Sequence, residues 1–518
     1  MVVDVKKAFL KGTLSLSLSV IIIKILGVLF KVPLSYILGD DGMGYFNSAY
    51  AIYGFFYILC TSGVPKSITL VISQYRAEFK GRSHDKQILM NGLKLFSLIG
   101  MFSTLLIIIM GPFIVEAIGN KNALYSLIAV APSIWFVSVS SVLRGYFNSV
   151  ERLGTIAVSQ MVEAVIKLVI GLGLAWIGTA KMTSAPVISA LALLGISVGS
   201  LVSFVYLIIG YKKQNTDNNS RQNIDIKPAL ITAAIAKNAF PIALSSSLLN
   251  LSATLDLSMI IKRLAMSGVS VDSANSLYGN YTTLAVPMFS LVISVLTPVA
   301  VAYMPRLAEL NLNKEGLRFS ESLNSLIALT LFISIPAAFS FIFYGFDILD
   351  ILFSVQSSAI GADMLTCLAV GLPIFMALTV VNTALESSGR IFETVISLLV
   401  GCVTKYIVSY ELIGMPRMGI LGAPIGTVAS YAVSLCVSLI ALKRARIQVK
   451  IIRKMLMLAL VALISFLGPY YLIYRTSLVG ETLLSMLTSL MLSFVGYVLI
   501  VALLSFPSLK YVLKMHKR

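Results

Sequence analysis

The chain has 518 residues, 58% of them hydrophobic and 12% charged, with a mean hydropathy of +0.93. A soluble protein carries about twice that charged fraction, so composition excludes a water-soluble globular fold and points to a polytopic membrane protein. The net charge of +18 is read as basic cytoplasmic loops rather than nucleic-acid binding, because Lys and Arg collect on the cytoplasmic side of membrane proteins.

A spanning helix needs about 20 mostly apolar residues. Fourteen stretches qualify in chain order: 12–37, 44–74, 88–118, 122–147, 154–179, 183–211, 232–264, 276–304, 319–345, 358–385, 391–413, 419–442, 455–474 and 481–509. The first is too long for a signal peptide's apolar region and lacks a small-residue cleavage site, so it is read as span one. Prolines 65, 112, 132, 287, 298, 336 and 373 predict kinks, since each removes a backbone donor. The longest polar connection, YKKQNTDNNSRQNIDIKP at 211–228, reads as a flexible linker. External connections are short apart from FDILDILFSVQSSAIG at 346–361. The expected layout is all-α: an N-terminal lobe of six spans over 1–213, a cytoplasmic linker at 214–229, a second six-span lobe over 230–446, and two further spans within 447–518. External loops hold only Lys121, Lys181, Lys262, Arg263, Arg417 and Arg475, leaving most of the 40 Lys and Arg to the opposite side. Both termini are therefore expected in the cytoplasm.

The second half answers the first at a shift of 238 residues. RLGTIAVSQMVEAVIK (Arg152 to Lys167) lies over RIFETVISLLVGCVTK (Arg390 to Lys405), with Ser159 on Ser397, and Ala185-Pro186-Val187 falls on Ala423-Pro424-Ile425. Six spans per repeat is an even number, so the two repeats run in the same direction, related by a pseudo-two-fold.

Charges inside the spans are the candidate functional residues. A lysine at mid-membrane costs about 2.5–3.5 kcal/mol on insertion scales. Lys24 and Lys31 lie in VIIIKILGVLFKV, two turns apart and hence on one face. They read as a cationic stripe in a water-filled cavity, or else as an ion-paired or snorkelling pair. Arg144 offers a phosphate contact or an interfacial anchor. Lys66, after Pro65, faces the cavity or caps a broken helix. Glu163 and Lys167 have the i, i+4 spacing of a structural pair, with ion coupling or pairing between the lobes as the alternatives. Asp256, deep in span seven, suits ion or proton coupling or a salt bridge between lobes, and Lys405 is embedded in the same way. Cys60, Cys367, Cys402 and Cys436 have no C-x-x-C spacing. With two histidines, that leaves no zinc or haem ligand set.

Three motifs carry a family resemblance. SSVLRGYFNS (Ser140 to Ser149) resembles S-x-L-R-G-Y-F-Q-G, GAPIGTVASY (Gly422 to Tyr431) resembles a G-A-A-I-G-T run, and FLKGT with KILG (Lys24 to Gly27) resembles the first helix of the multidrug/oligosaccharidyl-lipid/polysaccharide (MOP) exporter superfamily. Within it the chain looks most like stage V sporulation protein B and the MurJ-like lipid II flippases. Asn148-Ser149-Val150-Glu151 departs from the family's Q-G continuation. Lys24 stands where a first cavity arginine is expected, and Phe30 and Tyr57 stand near where two others would fall. Beyond Lys405, Val408 and Ser409 replace the K-x-x-L-N of relatives.

The resemblance implies a non-enzymatic flippase of the bacterial cytoplasmic membrane. It would move an undecaprenyl-pyrophosphate-linked saccharide, such as a peptidoglycan precursor for growth or spore cortex, by alternating access. It also implies an apolar groove for the lipid tail at spans thirteen and fourteen, a monomer among membrane lipids, and no cofactor beyond a coupling Na+ or H+. The alternatives are an exporter of another lipid-linked polysaccharide unit, or a drug/cation antiporter of the same superfamily. Span one, with two lysines and no acid, argues against the antiporter. A membrane glycosyltransferase would have to use Asp347, Asp350 and Asp363, the one external acidic cluster.

Overall fold

The computed structural model describes residues 2–78, 84–215, 227–303, 307, 309–311, 315–353, 355–445, 447, 449, 451–475 and 483–503. The described residues form helices joined by short turns and contain no strand. The helices are α1 (Val2–Thr61), α2 (Val64–Glu78), α3 (Asp85–Ile118), α4 (Leu124–Ser149), α5 (Leu153–Ala180), α6 (Ala185–Asn215), α7 (Pro228–Met266), α8 (Val271–Asn280), α9 (Val286–Ala302), α10 (Gly316–Leu352), α11 (Val355–Ser387), α12 (Ile391–Ile413), α13 (Gly422–Arg444), α14 (Ile451–Pro469) and α15 (Leu483–Leu503). Twelve helical runs among the described residues are long and apolar enough to cross a membrane. The first of them, Ile25–Arg76, is two spans. A helix of 60 residues would be about 90 Å long, three times the hydrocarbon thickness. It breaks at Gly39, whose φ of 62° and ψ of −177° lie in a region essentially reserved for glycine. With that run divided, and with α7 over the span expected at 232–264, the helices account for the fourteen spans of the sequence reading.

One expectation changes in the structure. The connection expected at 346–361 is largely helix, because α10 continues to Leu352 and α11 starts at Val355. Span two is broken where Pro65 predicts a kink. It is interrupted at Ser62–Gly63, just before Pro65, where proline removes a backbone donor. The linker at 214–229 and the C-terminal tail fall mostly outside the described residues.

The 238-residue shift reappears in the helix ends. The shift moves Ser149, Leu153 and Ala185, which end α4 and open α5 and α6, to positions 387, 391 and 423. The helices of the second half end or begin at Ser387, Ile391 and Gly422. Packing order repeats as well. α3 packs on α4, α4 on α6 and α5 on α6; α10 packs on α11, α11 on α13 and α12 on α13.

The chain forms two compact units. The first comprises Met1–Ala265 with Val269–Gly279, and the second Met266–Gly268 with Asn280–Arg518. In the first, Val64, Ile68, Ile88, Phe147, Leu207 and Ile235 bring α2, α3, α4, α6 and α7 into one core. In the second, Leu326, Val381, Leu442, Leu458 and Tyr497 join α10, α11, α13, α14 and α15. Hydroxyls bridge the helices inside each unit, as expected where lipid offers no hydrophobic drive for helix association. Ser126 and Ser189 lie 2.7 Å apart, Ser203 donates to the Ser159 carbonyl at 3.0 Å, and Ser434 donates to the Ser397 carbonyl at 3.0 Å. Outward faces are apolar: Leu98, Phe102, Phe113, Trp176 and Leu472 are each about two-thirds or more exposed. Apolar side chains on such faces suit contact with lipid.

The last two helices are fastened to α10. Tyr344 shares a 2.5 Å hydrogen bond with Ser489, and the Tyr474 hydroxyl donates to Asp347. Tyr344, Phe466, Tyr474 and Met486 form a small aromatic core between them.

Candidate functional site

A cavity of about 610 Å³ opens within the first unit, between α1, α4, α5 and α6. α5 and α6 approach each other closely. Gly171 on α5 lies so near Ala192 of α6 and the Phe30 ring that an added Cβ would sit 2.9 Å from each. Ile23, Leu26, Gly27 and Phe30 of α1 reach the cavity at helical spacing. Further along α1, Phe46, Tyr50, Tyr53 and Tyr57 form an aromatic ladder with ring centroids 5.5–5.9 Å apart, and its three tyrosines line the cavity.

Three charged side chains face this space: Arg144, Glu163 and Lys167. Arg144, 6% exposed, comes from the Ser140–Ser149 motif on α4. Its guanidinium donates to Glu163 at 2.7 Å, to the Ser203 hydroxyl at 3.1 Å and to the Ser159 hydroxyl at 3.3 Å. A planar guanidinium with several donors suits such a multi-partner site better than an ammonium. Glu163 therefore pairs with Arg144 on another helix, not with Lys167 one turn along its own, as the i, i+4 spacing suggested. The bond lies within the first unit. The reason is reach: α4 and α5 place the guanidinium beside the carboxylate, and the near-buried arginine needs an anion more than the lysine does.

Lys167 is instead held by aromatic faces. Its Nζ lies 5.0 Å from the centroid of Phe30 and 5.0 Å from that of Tyr50, within the range where a ring quadrupole attracts a cation. Among the described residues no carboxylate forms an ion pair with it. Lys31, half-buried on α1, sits near Lys167 and approaches the Asn47 amide oxygen at 3.5 Å.

The other sequence candidates fall elsewhere. The side chain of Lys24 lies outside the described residues, though its backbone is helical, two turns before Lys31. Lys66 is exposed on the first turn of α2 and is not among the residues lining the cavity. Asp256 is half-buried on α7, and Lys405 is half-buried on α12 in the second unit. Asp347, from the external acidic cluster, accepts the Tyr474 hydroxyl. Among the described residues there is no group of three or more potential metal ligands. The sequence reading did not single out the tyrosine ladder. Its signal was present, as aromatic residues at 46, 50, 53 and 57 recur at helical spacing.

The geometry can hold a polar, negatively charged group. Two cations against one carboxylate leave the cavity net positive, and the tyrosine hydroxyls and the Gln160 amide offer both donors and acceptors.

The chain is 25% identical over 479 residues to stage V sporulation protein B of Bacillus subtilis (strain 168), covering 89% of each chain. It is 23% identical over 477 residues to lipid II flippase MurJ of the same organism, covering 87% of this chain and 86% of that one. Among solved structures, the inward closed conformation of lipid II flippase MurJ superposes with a TM-score of 0.73 at 15% identity, covering 94% of this chain and 98% of that one. An inward-facing MATE multidrug resistance transporter of the MOP superfamily gives 0.63 at 14% identity, covering 82% and 94%. The polysaccharide biosynthesis protein family matches residues 9–311, more than half of the chain. The motifs, the two matched helical halves and these similarities together make the chain a member of the polysaccharide biosynthesis protein family, within the MOP exporter superfamily.

Proposed function

We propose that the protein is a flippase for an undecaprenyl-pyrophosphate-linked saccharide, working by alternating access in a bacterial cytoplasmic membrane with both termini in the cytoplasm. The observation that carries this reading is the net-positive cavity of the first unit, where Arg144 and Lys167 stand against the single acid Glu163. A pyrophosphate is dianionic or more, and a cavity that excludes lipid lets its charge be met by hydrogen-bond donors rather than hydrocarbon. The tyrosine hydroxyls and Gln160 offer partners for sugar hydroxyls. The relatives named as flippases, and the resemblance to stage V sporulation protein B, favour a peptidoglycan precursor such as lipid II as the cargo. The exposed apolar faces of α14 and α15 suit the polyprenyl tail. The reaction breaks no covalent bond, so the protein acts as a transporter. A cation such as Na+ or H+ is proposed to drive it, with Asp256 and Lys405 as embedded charges open to that role.

The test is transport in proteoliposomes made from the purified protein. A fluorescent undecaprenyl-pyrophosphate disaccharide is expected to cross the bilayer, and a lipophilic cationic dye is not. Transport of the dye without the lipid would replace this reading with that of a drug/cation antiporter.

A further inference from the structure

The carboxylate of Glu163 is out of place in a cavity read as a site for an anion. It lines the same space as Arg144 and Lys167, where a like charge would repel the incoming group. The fold does not demand it, as the second repeat shows. At the 238-residue shift, Arg144 corresponds to Asn382 and Glu163 to Gly401. There Asn382 accepts the Ser438 hydroxyl at 2.8 Å, and Ser434 closes so tightly on Gly401 that a Cβ would meet its hydroxyl at 2.0 Å. α11, α12 and α13 thus pack without either charge. The first repeat keeps the pair at the place where it keeps a cavity.

Two further observations say what the acid does. Arg144 is almost fully buried and, with no anion beside it, would be an uncompensated buried charge. Lys167 is one turn from Glu163, at the spacing where Glu followed by Lys pairs well on a helix. Yet it rests on the Phe30 and Tyr50 rings, with no carboxylate in ion-pair contact among the described residues.

We infer that Glu163 is a stand-in anion. It satisfies Arg144 while the cavity is empty, and gives way to the substrate's pyrophosphate by turning to Lys167. Arg144 is then the group that touches the anion, and Lys167 is a positioning residue that acts through Glu163. The exchange keeps every buried charge partnered in both states. It sets the affinity at the difference between two ion pairs, which favours release as well as capture. This inference rests on the anionic-substrate reading above.

The test uses the full-length protein in lipid nanodiscs with undecaprenyl pyrophosphate as the probe, measuring Kd for the parent, Glu163→Gln, Lys167→Met and the double variant. Glu163→Gln is expected to bind about ten-fold tighter, because the probe no longer displaces a charged hydrogen-bond partner. Lys167→Met is expected to bind about ten-fold more weakly, because the displaced carboxylate has lost its second partner. In the Glu163→Gln background, Lys167→Met should change nothing, which a direct lysine–phosphate contact would not allow. Should Glu163→Gln fail to fold, infrared difference spectra decide. At saturating probe a carboxylate band should shift in both the parent and Lys167→Met, but to different positions, because the displaced carboxylate meets an ammonium only in the parent. Equal losses from Lys167→Met in both backgrounds, weaker binding by Glu163→Gln, or identical infrared shifts would overturn the exchange alone. Absence of binding by the parent and every variant would overturn the anionic-substrate reading together with it.

Discussion

At the residue scale, the Arg144–Glu163 pair tests how a buried charge is supported. Glu163 retains 20% of its side-chain exposure and Arg144 only 7%. Removing one partner strands the other, whereas removing both strands neither. Breaking a buried pair costs about 3–5 kcal/mol, while an apolar replacement of the whole pair is often neutral. Glu163→Met is therefore expected to lower the unfolding midpoint in detergent well below that of the double variant Arg144→Met/Glu163→Met, as followed by tryptophan fluorescence or calorimetry. Equal midpoints would show that the pair carries no stability of its own. This bond was not legible in the sequence. Glu163 and Lys167 announce themselves by spacing alone, but Arg144 lies 19 residues before Glu163, and only the crossing of α4 and α5 brings them together. The aromatic seat of Lys167 was hidden for the same reason, since Phe30 and Tyr50 belong to a distant stretch of α1.

At the element scale, helix α1 turns at a single residue. An alanine at Gly39 would be forced to a φ of 62° with ψ near 180°, and such strain costs of order 1–3 kcal/mol. Gly39→Ala should lower thermal stability by that amount. Gly154→Ala at the start of α5, where an added Cβ meets nothing within 4 Å, should be neutral or slightly stabilising, because alanine is the better helix former. A second contrast lies in the aromatic contacts of α10 with the last helix. The Tyr344 hydroxyl is bonded to Ser489, whereas that of Tyr497 is buried without a hydrogen-bond partner among the described residues. Tyr344→Phe should cost about 0.5–1.5 kcal/mol, and Tyr497→Phe should cost nothing or stabilise, since an unsatisfied buried hydroxyl is itself destabilising. The spans themselves were legible because hydropathy over about 20 residues is a physical requirement of the bilayer. Their ends were less so. Asp347 and Asp350 made 346–361 look like a loop, but helical hydrogen bonding costs nothing to continue past the hydrocarbon edge, and α10 runs on to Leu352.

At the scale of the whole molecule, orientation follows from charge. Cysteine introduced at position 40 should react with an impermeant maleimide in intact cells. Cysteine at 218 should react only after the membrane is opened. Reversed labelling would overturn the assignment of both termini to the cytoplasm. The repeat was legible at this scale from Arg, Lys and Pro alone, and helix ends coincide at two places and fall within one residue at a third. What the sequence could not show is how unequally the two copies are used. One copy carries an ion pair where the other has Asn382 and Gly401.

Span eight ties two kinds of boundary together. Its first part, α8, is bound to the turn of α1: Asn275 donates to the Asp41 carbonyl at 3.0 Å, Ser276 donates to the Asp41 carboxylate, and Asn120 donates to Asn275 at 2.6 Å. Its second part, α9, belongs to the other compact unit. Between them lies the π-helical segment Tyr281–Ala285, a wider winding that often marks functional sites. The repeat, read as ancestry, joins its two copies near residues 214–229. The fold, read as machinery, divides at Gly279 and Asn280, one whole helix and half of another later. Duplication and mechanics have thus drawn their borders in different places. A chain cut at the ancestral joint would leave α7 and α8 severed from the unit they pack into.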